Sequence, residues 1–289
     1  MECCMFRPRI SCFHKMVSGV NSAFSTGKGK SQQSPRSIVH GFHLVEGKSS
    51  HPMEDYHVAE FKKIEGHELG LYAIFDGHLG DNVASYLQKN LFQNILSEAE
   101  FWSDPCKAIA KAYEKTDTSI LGKTTELGPG GSTAVTAILI DGKKLVVANV
   151  GDSRAVLCQN GRAIQLSVDH EPGTSTERGS IEHRGGFVSN MPGDVPRVDG
   201  QLAVSRAFGD KNLKLHLRSD PDVKVVEINS GTTFLILASD GLWKVMENQE
   251  VVDFIKKTKD PQVAAKHLAA EAVNRESKDD ISCIVVSFR

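Results

Sequence analysis

The sequence predicts an α+β fold in which antiparallel sheets are covered by helices. Two observations carry it. Short runs rich in Val, Ile, Leu and Phe recur along the 289 residues, several joined by tight-turn signals that pair neighbouring strands antiparallel. Between them lie longer amphipathic stretches with the apolar side chains on one helical face. The repeated hairpins argue against a doubly wound parallel sheet, and no internal repeat is evident.

Taken in order, residues 1–38 read as a disordered, basic, cysteine-containing tail. Gly, Ser, Gln and Lys dominate 18–37, with too little apolar surface to offset the entropy of ordering. The folded domain is expected over 39–289. Strand-like runs stand at 69–75, 135–140, 145–150, 155–158, 234–238 and 281–288. Asp141-Gly142 marks a hairpin, since glycine readily takes the positive φ such turns need. A second tight connection is expected through 151–154, and Gln159-Asn160-Gly161-Arg162 supplies another turn. Helices are expected over 81–96, with Val83, Ala84, Leu87, Leu91, Ile95 and Leu96 near one face, and over 105–121, with Asp104 as N-cap and Pro105 at the first helical position. A late pair is expected at 248–257 and 261–274.

Lys plus Arg number 34 and Asp plus Glu 36, a net charge of −2. That average conceals an asymmetry. Residues 1–40 hold Arg7, Arg9, Lys15, Lys28, Lys30 and Arg36 against Glu2 alone, so the head carries +5 and the rest −7. An acidic body argues against a nucleic-acid binder. No apolar run approaches the roughly 18 residues of a transmembrane helix. Cys3, Cys4 and Cys12 sit in the head, and Cys106, Cys158 and Cys283 are scattered, which fits neither a disulfide framework nor a zinc site. These features lead us to expect the cytoplasm and/or nucleus. Cys3 and Cys4 offer palmitoylation sites for peripheral membrane attachment beside basic residues.

The chemistry is written in acids at strand ends. Residues 71–75 run into Asp76-Gly77-His78, and 234–238 run through Ser239 into Asp240-Gly241. Residues 147–151 run into Asp152, Asp279-Asp280 precedes the last strand, and Glu54-Asp55 is a further pair. Carboxylates brought together repel, and a shared cation relieves the repulsion. All-oxygen ligation suits Mg²⁺ or Mn²⁺, and two such ions suit phosphoester hydrolysis. One Asp-Gly after a strand is ordinarily a turn. From residue chemistry alone, a metal site and a set of turns both stand. Two competing motifs are chance: Gly47-Lys48-Ser49 lacks the first P-loop glycine, and Cys3 with Arg9 has thiol-phosphatase spacing but no strand-to-helix loop.

Eight segments in order resemble the plant-type protein phosphatase 2C family of metal-dependent serine/threonine phosphatases. They are 53–57 around Glu54-Asp55, 75–78 around Asp76-Gly77-His78, 131–134, 148–154 ending Gly151-Asp152-Ser153-Arg154, 166–172 around Asp169-His170, 205–210 ending Gly209-Asp210, 238–243 around Asp240-Gly241, and 278–282 around Asp279-Asp280. The resemblance runs from about residue 39 to the end. It implies a four-layer α/β/β/α sandwich with two central antiparallel sheets flanked by helices, and two Mn²⁺ or Mg²⁺ ions at one end. Asp76 would bridge the ions, with the Gly77 carbonyl and Glu54 serving the first. Asp240 and Asp279 would serve the second, and Asp55 would support the cluster. A water between the ions would attack phosphoserine or phosphothreonine, and His78 would protonate the leaving oxygen. By motif position Asp279 matches the ligand and Asp280 replaces the usual Asn.

Three departures carry expectations of their own. The arginine that many members use to grip phosphate is replaced by Ser50, with Lys48 and His51 nearby. A third, weaker metal site would use Asp152, but its partner acid is Lys244, so that site is expected to be weak or filled by the ammonium. Residues 189–202 lack the tryptophan through which hormone-bound plant relatives meet abscisic-acid receptors, so binding to those receptors is not expected. The substrates implied are phosphorylated proteins, signalling kinases or their targets, acted on by a monomer. The alternative is a catalytically weak phosphatase-like scaffold that binds phosphoproteins.

Overall fold

The computed structural model describes residues 24–31, 37–49 and 51–288. The chain opens with β1 (Phe24–Lys30), β2 (Ile38–Val45), β3 (Asp55–Ile64) and β4 (His67–His78). Helices α1 (Asn82–Leu96), α2 (Pro105–Gly122) and the short α3 (Thr124–Leu127) follow. Then come β5 (Gly131–Ser132), β6 (Ala134–Ile140), β7 (Lys144–Val150), β8 (Arg154–Gln159) and β9 (Arg162–Gln165). A flap holds α4 (Ser175–His183), β10 (Val188–Ser189) and β11 (Arg197–Val198). The chain ends with β12 (Phe208–Gly209), β13 (Asp222–Glu227), β14 (Thr232–Ala238), α5 (Asp240–Trp243), α6 (Asn248–Ile255), α7 (Pro261–Asn274) and β15 (Ile281–Phe288).

Two large antiparallel sheets result, beside a two-stranded ribbon of β10 and β11. The first runs β1-β2-β15-β14-β8-β9; the second runs β12-β5-β4-β6-β7-β13, with β3 also paired to β4. Strand periodicity explains how they stack. In β4, Tyr72 and Ile74 point into the layer between the sheets, against Leu237 and Ile284 of the first sheet. Leu71, Ala73 and Phe75 point the other way, onto Leu87 and Leu91 of α1 and Ile109 and Tyr113 of α2. The first sheet repeats the device: Ile236, Cys283 and Val285 meet Val252 of α6 and Leu268 of α7. Three apolar layers therefore separate four structural layers, α/β/β/α, as expected from the resemblance.

Local expectations fare variously. Asp104 accepts the Lys107 amide at 3.0 Å with Pro105 at the first helical position, so α2 begins where its cap demands. The turns after β6 and β8 place Asp141 and Asn160 at φ of 50° and 52°, followed by Gly142 and Gly161, also left-handed. The expected tight connection at 151–154 is not a hairpin. β7 pairs with β6 and β13 in one sheet, while β8 pairs with β14 and β9 in the other, so this segment crosses between the sheets.

The tail boundary also shifts, because residues 24–30, read as tail, form β1. There Thr26 pairs with His43 and Lys30 with Val39, and Lys28 lies 3.6 Å from Asp260. Main-chain pairing holds this segment despite its scant apolar surface. Cys3, Cys4 and Cys12, with the attachment expected of them, lie outside the described residues. Among the described residues Cys106, Cys158 and Cys283 are free thiols, and no helix is long and apolar enough to cross a membrane.

Candidate metal centre

One end of the sandwich collects the acids. Register puts Asp55, at the start of β3, opposite Asp76 near the end of β4. Asp240 follows β14 by one residue, and Asp152 lies on the crossing between the sheets. Carboxylate oxygens of Asp76, Asp152 and Asp240 all lie within 4.8 Å of one another. Gly77 must be glycine here, since a Cβ would meet the Glu54 carbonyl at 2.6 Å.

The loops around these acids are fixed by side-chain hydrogen bonds. Asp280, 4% exposed, accepts the Gly47 amide at 2.7 Å with one oxygen and the Glu54 amide at 2.8 Å with the other. It thus clasps the chain before β3, while Asp279 keeps the more exposed position. Glu54 in turn accepts the Gly80 amide at 2.7 Å. Behind Asp152, His170 Nδ1 accepts the Gly151 amide at 3.1 Å and Nε2 donates to Asp222 at 2.8 Å. Thr133 bridges Asp76 and Ser153: its hydroxyl lies 2.8 Å from the Ser153 hydroxyl and accepts the Asp76 amide at 3.3 Å.

The electrostatics are those of a site short of positive charge. Burial raises the Asp76 pKa well above the ordinary carboxylate range, helped by Asp55, Asp240, Asp152 and Asp279. Burial likewise raises Asp152 and Asp240, each opposed by the Lys244 ammonium. Asp55 is pushed up to about 8, first by burial and then by Asp280 and Asp240, with the Ser282 and Ser239 hydroxyls opposing. Both Asp55 oxygens and Asp240 Oδ1 are buried without a full hydrogen bond. Buried, unpartnered carboxylate oxygens that converge are the donor set a divalent cation requires. The residues present fit such ions.

Of the residues expected in the site, Asp76 and Asp240 lie together, and Glu54, Gly77 and Asp55 adjoin them. Asp152, foreseen only at a weak third site, joins the same cluster. Asp279 stands beside it, its Oδ2 held 3.0 Å from Lys244 Nζ, and the same ammonium lies 2.5 Å from Asp240. His78 Nε2 lies 2.9 and 2.8 Å from the two oxygens of Asp210, which ends the family segment at 205–210. Lys48 is exposed; His51 lies 3.0 Å from the Pro52 carbonyl and 3.5 Å from Glu54. Position 50 is outside the described residues. A cleft of about 470 Å³ opens beside the acids, with Asp152, Asp240 and Lys244 on one wall and Val195, Pro196 and Arg197 of the flap on the other. Trp102 stacks on His67 and Trp243 donates to the Ala238 carbonyl, so neither tryptophan sits on the flap.

With this geometry in hand, comparison with known proteins is specific. The family model described as "Protein phosphatase 2C" matches residues 42–281. "Probable protein phosphatase 2C 44" of Oryza sativa subsp. japonica is 63% identical over 284 residues, covering 98% of this chain and 88% of its own. "Probable protein phosphatase 2C 58" of Arabidopsis thaliana is 68% identical over 267 residues, 92% of this chain and 93% of its own. Among solved structures, a serine-threonine phosphatase 2C from Toxoplasma gondii superposes with a TM-score of 0.74 at 23% identity, covering 92% of this chain and 99% of that one. That last likeness speaks to the fold.

Proposed function

Because this chain belongs to the protein phosphatase 2C family and is a metal-dependent protein serine/threonine phosphatase, we propose that its acidic cluster holds two Mn²⁺ or Mg²⁺ ions that serve phosphoserine and phosphothreonine hydrolysis. The observation that carries this reading is the convergence of Asp76, Asp152 and Asp240, with Asp240 Oδ1 and both oxygens of the adjoining Asp55 buried without partners. Asp76 would be shared between the ions. The Gly77 carbonyl and Glu54 would complete one side, Asp240 and Asp279 the other, and Asp55 would support the cluster from below. When bound, the ions supply Lewis-acid charge that activates water and draws electron density from the phosphoryl oxygens.

The chain's own groups do the rest. His78, held on the strand end beside Asp76, delivers a proton to the departing serine or threonine oxygen. Lys244, standing where a third site would have its second acid, pairs with Asp240 and Asp279 and offsets their charge. Lys48 or His51, the latter 3.5 Å from Glu54, would stand in for the absent arginine in meeting substrate phosphate, Lys48 without the bidentate fork of a guanidinium. The substrates are phosphorylated proteins, signalling kinases or their targets, and the enzyme acts as a monomer in the cytoplasm and/or nucleus. The flap without tryptophan opposes capture by abscisic-acid receptors.

Turnover of a phosphothreonine peptide with Mn²⁺, with Mg²⁺ and with chelator tests the reading. Activity should require a divalent ion, and Asp76→Asn should lower kcat at least a hundredfold. Turnover that survives chelation, or a near-normal rate in the variant, would overturn it.

A further inference from the structure

We propose that Asp210 is a positioning residue for His78, fixing which imidazole nitrogen faces the substrate. This rests on the reading of His78 as the proton donor.

The pair is built across three strands. In the second sheet β5 lies between β4 and β12, and Gly131 of β5 is in register with His78 on one side and Gly209 on the other. His78 ends β4 and Asp210 directly follows β12, two strands that do not touch, and their side chains meet over the intervening residue. Only a glycine permits this, since a Cβ on Gly131 would stand 2.1 Å from Asp210 Oδ2.

Asp210 is held for the purpose. It is 3% exposed, adopts a left-handed φ of 51°, and its amide donates to the Gly130 carbonyl at 2.9 Å. A non-glycine residue in that region carries a conformational cost, which Asp tolerates better than most. The preceding Gly209 amide donates at 2.8 Å to Asp117 of α2, and Lys214 anchors Asp117 from the far side at 3.0 Å. A helix, a strand end and a lysine thus fix one carboxylate.

The chemical consequence follows from donor and acceptor roles. A carboxylate only accepts hydrogen bonds, and both Asp210 oxygens face His78 Nε2. Nε2–H is therefore the donor to Asp210, and Nδ1 is the nitrogen left to face the leaving oxygen. Without Asp210 the ring is free to rotate and to take the other tautomer, presenting the wrong nitrogen.

Leaving-group dependence separates this role from simple structural support. A phosphoserine peptide expels an alkoxide that needs a proton, whereas 4-nitrophenyl phosphate expels an anion that does not. His78→Gln should lose far more kcat on the peptide than on the aryl ester. Equal losses there would overturn the proton-donor reading itself. With that established, Asp210→Asn should lose roughly tenfold more on the peptide than on the aryl ester, and the double variant should be no slower than His78→Gln. Equal losses on the two substrates by Asp210→Asn, or losses that multiply in the double variant, would overturn the proposal. Histidine ¹⁵N NMR of the unaltered protein, under conditions where the ring is neutral, gives a readout independent of any variant. The Nε2–H tautomer is expected for His78, and the Nδ1–H tautomer would refute it.

Discussion

The Lys244 ammonium lies 2.5 Å from Asp240 and 3.0 Å from Asp279, joining two acids that expected cations would also claim. Burial works against its charge, but these two carboxylates outweigh burial and raise its pKa. The lysine thus serves as a built-in counter-ion. Lys244→Asp removes it and adds a ligand, so titration calorimetry should register one more Mn²⁺ per chain. Lys244→Ala should tighten Mn²⁺ by roughly tenfold, the scale of one like charge withdrawn at this range. Unchanged stoichiometry and affinity in both variants would contradict this role.

Asp280 spends both oxygens on the Gly47 and Glu54 amides, so its contribution is structural before it is chemical. Asp280→Ala should lower unfolding free energy by about 3 kcal/mol, the sum expected of two charge-assisted bonds whose donors lose their partner. Because Glu54 rides on that clasp, the Mn²⁺ concentration needed for half-maximal activity should rise as well. Denaturant titration and a metal-activation curve check both. A variant of normal stability would exclude the clasp.

Stability should depend on pH through two opposed groups. Burial holds His40 and His57 down at about 4, against 6.5 when unfolded. The unfolded chain therefore takes up protons that the fold refuses, and stability falls as pH drops from 6.5 toward 4, by on the order of 2 kcal/mol per histidine at pH 5. Asp55 acts in the other direction. Held up at about 8, it keeps a proton that the unfolded chain releases above 3.8, so the cation-free fold loses stability as pH rises between those values. Divalent ions bind the charged form, so the Tm gained on adding Mn²⁺ should grow from pH 5 to pH 8. A gain independent of pH in thermal scans would contradict the assignment. His40→Leu should flatten the acid limb.

β1 completes one edge of the first sheet. A chain beginning at residue 24 should melt with the full protein, whereas one beginning at residue 32 loses β1 and bares the edge of β2. The shorter chain should melt roughly 5 °C lower. Identical melting would mean that β1 contributes nothing to stability.

The acids were legible because each stands at the end of an apolar run, where strand and turn chemistry are both local. β1 and β3 were not. Gly27-Lys28-Gly29-Lys30 and the partly exposed Asp55–Ile64 lack apolar alternation, since each forms an edge of its sheet. The segment at 151–154 carries a turn signal shared by hairpins and crossings. Only the pairing of Leu157 with Leu235 distinguishes them, and that contact is long-range. The pairing of Asp210 with His78 was hidden for the same reason, since the two lie 132 residues apart.

The crossing between β7 and β8 has a mechanical consequence. Asp76 is anchored in one sheet, Asp240 hangs from the other, and Asp152 rides on the segment that joins them. Cations gripped by all three would rivet the halves of the sandwich together. Shear between the sheets would be felt first in the ligand cage, so a pulling force should rupture the loaded enzyme at higher load than the stripped one.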